Sequence, residues 1–186
     1  WLIERNHFAY QGEEHKFRES SIKEAIRRLT DISLYDGLVR TNEKLYETLT
    51  LGISLPQTIK GDKRHYSLHY VDWKNPENNV FHITEEFVVE REGSHRTRRP
   101  DLVCFVNGIP FAVIECKRPD LKVQEGGLPY EEAVSQTLRN QKAGEIRHLF
   151  AYSQILLALS TNHAAYATTG TPKEFWMIWH EEGSDR

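Results

Sequence analysis

Residues 99–119 read RPDLVCFVNGIPFAVIECKRP, and this stretch decides the fold. Two apolar runs flank the pair Asn107-Gly108, which is typical of a tight turn between antiparallel strands. Asp101 begins the first strand, and the triplet Glu115-Cys116-Lys117 ends the second. The sequence therefore predicts a β-hairpin that brings an aspartate, a glutamate and a lysine together at one end.

The register of this hairpin decides whether the two acids meet. Glu115 and Lys117 are two apart and share one face of a strand, which leaves Cys116 pointing into a core on the other face. A two-residue loop would place Asp101 on the wrong face. We therefore predict a three-residue loop with Gly108 as a left-handed bulge. Pro110 has no N–H, so a bulge or an unpaired position is also expected near it.

The residue types predict metal chemistry. Two carboxylates bind a hard cation such as Mg²⁺, which lowers the pKa of a bound water and stabilises charge on a phosphate. Lys117 can orient or help deprotonate that water, or neutralise the transition state. The alternative is a surface hairpin with a Glu-Lys pair and an unrelated Asp, because Glu-x-Lys alone is common by chance. The complete pattern favours a metal site beside a phosphodiester.

The motif resembles the PD-(D/E)xK nuclease core. The residues around the motif resemble the N-terminal endonuclease domain of the R subunit (HsdR) of type I restriction enzymes. The resemblance covers roughly residues 36–180, through LTLGISLPQTIKGDKRHYSLHYVDWKNPENNVFHITEEFVVER before the hairpin and YEEAVSQTLRNQ after it. It therefore extends well beyond the hairpin itself.

The resemblance implies roles for individual residues. Asp101 and Glu115 would be metal ligands together with the backbone carbonyl of Cys116, and Lys117 would be the catalytic lysine. The family also carries a Gln-x-x-x-Tyr motif, whose glutamine corresponds to Gln136, a further catalytic candidate. The tyrosine position is Asn140 here. This is a departure, because Asn can hydrogen-bond but cannot stack on a base.

The resemblance also implies a function. The chain would be a metal-dependent endonuclease that hydrolyses double-stranded DNA with a metal-activated water, using Mg²⁺ or Mn²⁺. Methyltransferase and specificity subunits of a type I restriction complex would be its partners. ATP would serve only the motor of the full-length subunit; this chain has no Gly-Lys-Ser/Thr phosphate loop.

Three other functions stay open. The chain could be another nuclease of the same core, acting in repair or recombination. It could be a DNA-binding or assembly module that keeps the core without turnover. It could also be a purely structural domain of a larger enzyme.

The charge of the chain does not by itself indicate nucleic-acid binding. The net charge is -3 and the isoelectric point about 6.3, whereas domains that bind nucleic acid alone are usually basic. Basic residues nevertheless flank the proposed site, and the alternative is a solvated charged loop. The candidate DNA contacts are Arg96, Arg98, Arg99, Arg118, Lys122 and Asn140.

Composition limits the cellular setting. The sequence has no run of eighteen apolar residues and no signal peptide, so we expect no membrane association. Cys104 and Cys116 lie in apolar runs, which predicts reduced core thiols in a cytoplasmic protein.

We predict an α/β fold with a restriction-endonuclease-like core, in which helices flank a central mixed β-sheet. Residues 1–35 would be an N-terminal helical appendage or part of the same domain, and residues 36–186 the endonuclease domain. Ser21-x-x-Glu24 is a candidate capping box. The predicted helices cover 20–31, about 46–51, 130–141 and 145–159. The predicted strands, besides the hairpin, cover 65–71, a part of 79–91 centred on 86–90, 164–168 and 175–179.

Overall fold

The computed structural model of the chain describes residues 1–118, 127–161 and 163–179. Its strands are β1 His7–Tyr10, β2 Glu13–Lys16, β3 Ile53–Ile59, β4 Asp62–Leu68, β5 Phe81–Glu85, β6 Val89–Glu90, β7 Thr97–Arg98, β8 Leu102–Val106, β9 Ile109–Cys116, β10 Ile155–Ser160, β11 His163–Ala167 and β12 Met177–Ile178.

The α-helices lie before β1, between β2 and β3, and between β9 and β10, and short 3₁₀ turns occupy Pro76–Asn78 and Lys173–Phe175. No helix among the described residues is both long and apolar enough to cross a bilayer. The α-helices are α1 Leu2–Arg5, α2 Glu19–Thr30, α3 Leu38–Leu51, α4 Pro129–Asn140 and α5 Arg147–Tyr152.

A mixed sheet forms the centre of the molecule, with strand order β12-β11-β10-β9-β8-β5. β9 and β10 are parallel, whereas the other neighbouring strands are antiparallel. A parallel pair needs a crossover connection, which here carries α4 and α5. This arrangement confirms the predicted α/β class, a central mixed sheet flanked by helices like that of restriction endonucleases.

Two apolar clusters hold the helices and the smaller hairpins against the sheet. The first joins Val103 and Val113, which are paired across β8 and β9, to Val134 of α4 and Phe150 of α5. The second holds Ile109 together with side chains from the amino-terminal third of the chain. Phe8, Tyr10, Phe17, Ile22 and Ala25 of residues 1–35 belong to this second cluster.

The central hairpin has a two-residue loop, so the predicted three-residue loop is wrong. Val106 pairs with Ile109, and both Asn107 (φ 53°) and Gly108 (φ 83°) are left-handed, as in a type I′ turn. The extra residue is Phe111 instead: Phe105 pairs with Pro110, whereas Cys104 pairs with Ala112. The irregularity expected near Pro110 is therefore confirmed. It shifts the register by one residue, as the loop had been expected to do.

The predicted helix over 145–159 is wrong in its second half. Helix α5 ends at Tyr152, and residues 155–160 form β10, which lies between β9 and β11. Residues 155–159 are a short apolar run, and such a run cannot be told from a buried helix segment by periodicity. The other helices agree better, because α2 and α4 lie within one residue of the predicted bounds.

Several smaller expectations also need correction. Ser21 does not cap α2, because Arg18 is the N-cap; the Ser21 hydroxyl accepts a hydrogen bond from Gln57 instead (2.7 Å). The strand centred on 86–90 is interrupted, since Glu86 is left-handed (φ 45°) and ends β5. The second helix is longer than expected, β3 was not predicted, β4 begins earlier than 65, and β12 is shorter than 175–179.

Asn107 joins the central hairpin to the segment that precedes β5. Its amide donates to the carbonyl of Tyr70 (2.9 Å) and to Oδ1 of Asn79 (2.8 Å), and its Oδ1 accepts from the N–H of Val80 (2.8 Å). This one side chain therefore supplies hydrogen bonds to two buried residues, Tyr70 and Asn79, and the polar groups of those residues lose a partner without it.

We expect Asn107→Gly to lower the free energy of unfolding by about 2 kcal/mol, because it removes these bonds without straining the left-handed backbone. Lys60 is the matched control, since it holds the same left-handed position before Gly61 in the β3–β4 turn and its side chain is exposed. Chemical denaturation should show a change within about 0.5 kcal/mol for Lys60→Gly. Equal losses in the two variants would contradict a role for the amide.

Candidate active site

The bulge at Phe111 places Asp101 on the same face as Glu115. Leu102 pairs with Ile114, so Asp101, the next residue back, lies opposite Glu115. The Asp101 carboxylate accepts a hydrogen bond from the backbone N–H of Cys116 through Oδ2 (2.7 Å). This bond holds the aspartate against the carboxyl end of β9, where the sequence had predicted it.

A hydrogen-bonded chain joins the other three predicted catalytic residues. Lys117 donates from Nζ to Oε1 of Gln136 (2.6 Å), and Gln136 donates from Nε2 to Oε2 of Glu115 (2.7 Å). Gln136 lies in the middle of α4, which packs across β9 and β10. The structure thus brings Asp101, Glu115, Lys117 and Gln136 into one group.

Glu115 is the most unusual member of this group. Its side chain is fully buried, and its Oε1 has no hydrogen-bond partner among the described residues. Burial first, and then the charge of Asp101, raise the pKa of Glu115 to about 8. A buried charged carboxylate without a full set of partners is costly, so this atom needs a proton or a cation.

The oxygen donors in the group fit a hard divalent cation. Asp101 and Glu115 supply two carboxylates, and the unpartnered Oε1 of Glu115 leaves one buried donor available. Across residues 1–118, 127–161 and 163–179, no three His, Cys, Asp or Glu side chains are grouped as a closed metal cage. A pair of carboxylates, without a set of Cys or His ligands, matches the coordination habits of Mg²⁺ better than those of a structural zinc.

Cys116 does not point into a core, contrary to the sequence-based expectation. Its side chain is exposed, and both Cys116 and Cys104 are free thiols. The second apolar cluster covers this face of β9 near Ile109 and Phe111 and does not include Cys116. The proposed ligand role of the Cys116 backbone carbonyl stays a prediction.

The candidate DNA contacts fall into different environments. Arg96, Arg99 and Arg118 are exposed, whereas Arg98 is half-buried and paired with Glu145. Asn140 is only 2% exposed, with Oδ1 unpartnered, a position that does not fit a contact with DNA. Its burial follows from its place in the last turn of α4, where the chain folds back and Ile146 donates to its carbonyl. Lys122 lies outside the described residues.

An aromatic pair flanks the group on the side away from Asp101. The rings of Tyr130 and His163 are stacked, with centroids 5.6 Å apart. His163 shares a sheet face with Glu115, because Glu115 pairs with Ala158 and Ala158 with Ala165. Sequence reasoning missed this pair, since only the pairing of distant strands brings it to the site.

A network of ion pairs near the site was also missed. It joins Arg91, Glu92 and Arg98 of the β6–β7 region to Glu145 and Arg147 between α4 and α5. The available signal was the alternation of opposite charges in 91–98 and 145–147. Pattern alone does not tell which of these charges are paired.

The raised pKa of Glu115 predicts a pH dependence of stability in metal-free protein. The pKa of Glu115 is about 8 in the folded state, whereas the ordinary pKa of a glutamate is 4.5. The folded state therefore binds this proton more tightly, and the free energy of unfolding falls as pH rises through that interval. The expected loss is on the order of a few kcal/mol, since each pKa unit corresponds to about 1.4 kcal/mol.

The test is urea unfolding of wild type and Glu115→Gln at several pH values, with a chelator present. The difference in free energy of unfolding between the two proteins gives the contribution of Glu115 at each pH. The neutral variant keeps an acceptor for Gln136, and its free energy of unfolding should lack the part that falls with pH through Glu115. Added Mg²⁺ at pH 8.5 should then restore wild-type stability but leave the variant unchanged. Parallel pH curves for the two proteins would contradict the assignment.

Comparison with known proteins identifies the family of this chain. The family described as "Type I restriction enzyme R protein N terminus" matches residues 3–175. The provisionally named type I restriction enzyme MjaIXP endonuclease subunit of Methanocaldococcus jannaschii is 30% identical over 141 residues. The type I restriction enzyme HindI endonuclease subunit of Haemophilus influenzae is 28% identical over 140 residues.

Each alignment covers 75% of this chain but only 13% and 12% of the respective relative. The chain thus spans about an eighth of the length of these relatives. The family match covers most of the chain, including the central hairpin and α4. The chain therefore belongs to the family of type I restriction enzyme R protein N-terminal regions.

Proposed function

We propose that this chain is the metal-dependent endonuclease domain of a type I restriction enzyme R subunit. It would hydrolyse phosphodiester bonds of double-stranded DNA, in a PD-(D/E)xK site built from Asp101, Glu115 and Lys117. The observation that carries the proposal is the arrangement of the buried Glu115 carboxylate. It stands beside Asp101, is joined through Gln136 to Lys117, and keeps one oxygen free.

Asp101 and Glu115 would hold Mg²⁺, or Mn²⁺ in its place, with the Cys116 carbonyl as a further ligand. A cation bound there supplies a water of lowered pKa and neutralises charge on the phosphate. The hydrogen bond from the N–H of Cys116 keeps Asp101 oriented before a cation arrives. Burial of Glu115 excludes bulk water from its carboxylate, which strengthens its attraction to a cation.

Lys117 would contact the attacking water or the phosphate, and Gln136 would hold Lys117 in place. The ammonium of Lys117 is held by the Gln136 amide, which leaves its other N–H groups available to a phosphate oxygen or a water. Gln136 acts as a positioning residue, because its carbonyl end accepts from Lys117 and its NH₂ end donates to Glu115. One amide thereby fixes the distance between the Lys117 ammonium and the Glu115 carboxylate.

The other subunits of such an enzyme enter the proposal through the family. The relatives are named as endonuclease subunits of type I restriction enzymes. We propose by analogy that methyltransferase and specificity subunits bring the chain to DNA. ATP would be used by a motor region of the complete subunit, outside the residues of this chain.

Lys117→Ala should reduce cleavage of plasmid DNA by about 100-fold or more, because it removes the group that orients or helps deprotonate the water and neutralises charge in the transition state. The assay uses the complete subunit assembled with its partners, with Mg²⁺ and ATP. Calorimetry should show that the variant still binds Mg²⁺, since Asp101 and Glu115 remain, and translocation along DNA should persist.

Lys63→Ala is the matched control, because Lys63 is an exposed lysine on β4, in a two-stranded sheet outside the central one. Its cleavage rate should equal that of wild type. Unchanged cleavage in Lys117→Ala would discard the catalytic assignment and favour a module that binds DNA or assembles the complex without turnover.

A further inference from the structure

The β6–β7 hairpin lies outside the central sheet and is held by a carboxylate from another part of the chain. Glu145 accepts two hydrogen bonds from Arg98, at Nε (2.7 Å) and Nη2 (2.9 Å). Arg91 lies 3.1 Å from the same carboxylate, whose side chain is 12% exposed. Two arginines of the hairpin are therefore engaged in an internal, largely desolvated contact.

A second pair of opposite sign holds the same hairpin. Arg147 Nε lies 2.7 Å from the Glu92 carboxylate, and the Gly144 N–H also donates to it (3.3 Å). Two backbone carbonyls accept further bonds, that of Glu145 from the Glu92 N–H (2.9 Å) and that of Gly144 from Arg91 Nε (3.0 Å). The hairpin is thus fixed to the segment that follows α4, the helix that carries Gln136.

These contacts are strong enough to set a position. The four side chains of the Arg98–Glu145 and Arg147–Glu92 pairs are 35% exposed or less, so solvent screens them only in part. Removing one partner would leave a partly buried charge uncompensated. We expect the hairpin to shift or loosen in that case.

The hairpin leads directly to the candidate metal ligand. β7 ends at Arg98, and only Arg99 and the buried Pro100 separate it from Asp101. Arg96 near the hairpin tip and Arg99 are both exposed, and neither guanidinium has an ion-pair partner in the described part of the chain. Exposed guanidinium groups of this kind match DNA phosphates in charge and geometry.

We propose that Glu92 and Glu145 are positioning residues that hold the β6–β7 hairpin beside the active site, where Arg96 and Arg99 bind the phosphates of duplex DNA. Arg98 and Arg91 then act through these carboxylates and not by contact with DNA. The proposal rests on the proposed nuclease function and adds a phosphate-binding ridge to that site.

The sign of the effect separates positioning from simple electrostatics. Removal of an acid near bound DNA reduces repulsion and strengthens binding, if charge is all that matters. A positioning role predicts the opposite, because loss of Glu92 or Glu145 displaces Arg96 and Arg99 from the phosphates. Glu92→Gln and Glu145→Gln are therefore informative changes.

The experiment measures the Kd for a short duplex by fluorescence anisotropy at several salt concentrations. It uses the complete subunit with Lys117→Ala, so that DNA is not cut. We expect Glu92→Gln to raise Kd about 5- to 10-fold and to reduce the slope of log K against log salt by about 1–2. Combining Glu92→Gln with Arg96→Ala should cost less than the sum of the single effects.

Two further variants test the interpretation. Exchange of the pair, Glu92→Arg with Arg147→Glu, should restore part of the affinity, because it rebuilds the ion pair, although an arginine at position 92 cannot accept the bond from the Gly144 N–H. Glu43→Gln on α3 is the control, since Glu43 is an exposed acid that pairs with Arg40 of the same helix and should leave Kd unchanged. Thermal melting and Mg²⁺ binding report whether each variant is folded.

Unchanged or tighter DNA binding by Glu92→Gln and Glu145→Gln overturns the positioning role. Failure of the exchanged pair to restore affinity, when it melts like wild type, overturns it as well. The proposed function fails separately, if the wild-type enzyme neither binds duplex DNA nor cuts it. If the wild-type enzyme cuts DNA but the Glu92 and Glu145 variants bind DNA as wild type does, the nuclease proposal holds and the positioning role is rejected.

Discussion

A single unpaired residue, Phe111, determines whether this molecule has a candidate site at all. The type I′ turn at Asn107-Gly108 pairs positions of opposite parity, and a regular ladder would carry Asp101 to the face away from Glu115. The bulge reverses that parity before the strands reach the two acids. Pro110 supplies the physical cause, because it cannot donate to β8 and so marks where the ladder is interrupted. The position of Asp101 opposite Glu115, and its bond from the N–H of Cys116, depend on this shift.

Burial of the Glu115 carboxylate is the energetically unfavourable part of the site. This carboxylate occupies a position on β9 next to Val113, on the face that packs under α4. An apolar side chain there would complete the core, whereas the glutamate keeps one buried oxygen without a partner. Proteins tolerate such groups mainly where chemistry requires them. The helix that covers Glu115 also supplies Gln136, so burial of the acid and its connection to Lys117 arise from the same packing.

The distribution of charge follows a similar division between structure and function. The chain is slightly acidic as a whole, and its arginines near the site differ in what they contact. Arg91, Arg98 and Arg147 are committed to Glu92 and Glu145, whereas Arg96 and Arg99 remain exposed. A domain brought to DNA by a larger assembly needs only a local basic surface, and fixed carboxylates can hold such a surface in place.

The resemblance to the family assigned Gln136 to the site. The sequence by itself determined the α/β class, the hairpin, α2, α4 and the membership of Asp101, Glu115 and Lys117 in one group. These depend on local spacing and turn chemistry, which operate within a few residues. Tertiary structure decided the rest: that the bulge lies at Phe111, that 155–160 is a strand, that Cys116 is exposed and Asn140 buried. It also decided that Arg98 is paired while Arg96 is not. These outcomes depend on which distant strands and helices become neighbours, and no local pattern carries that information.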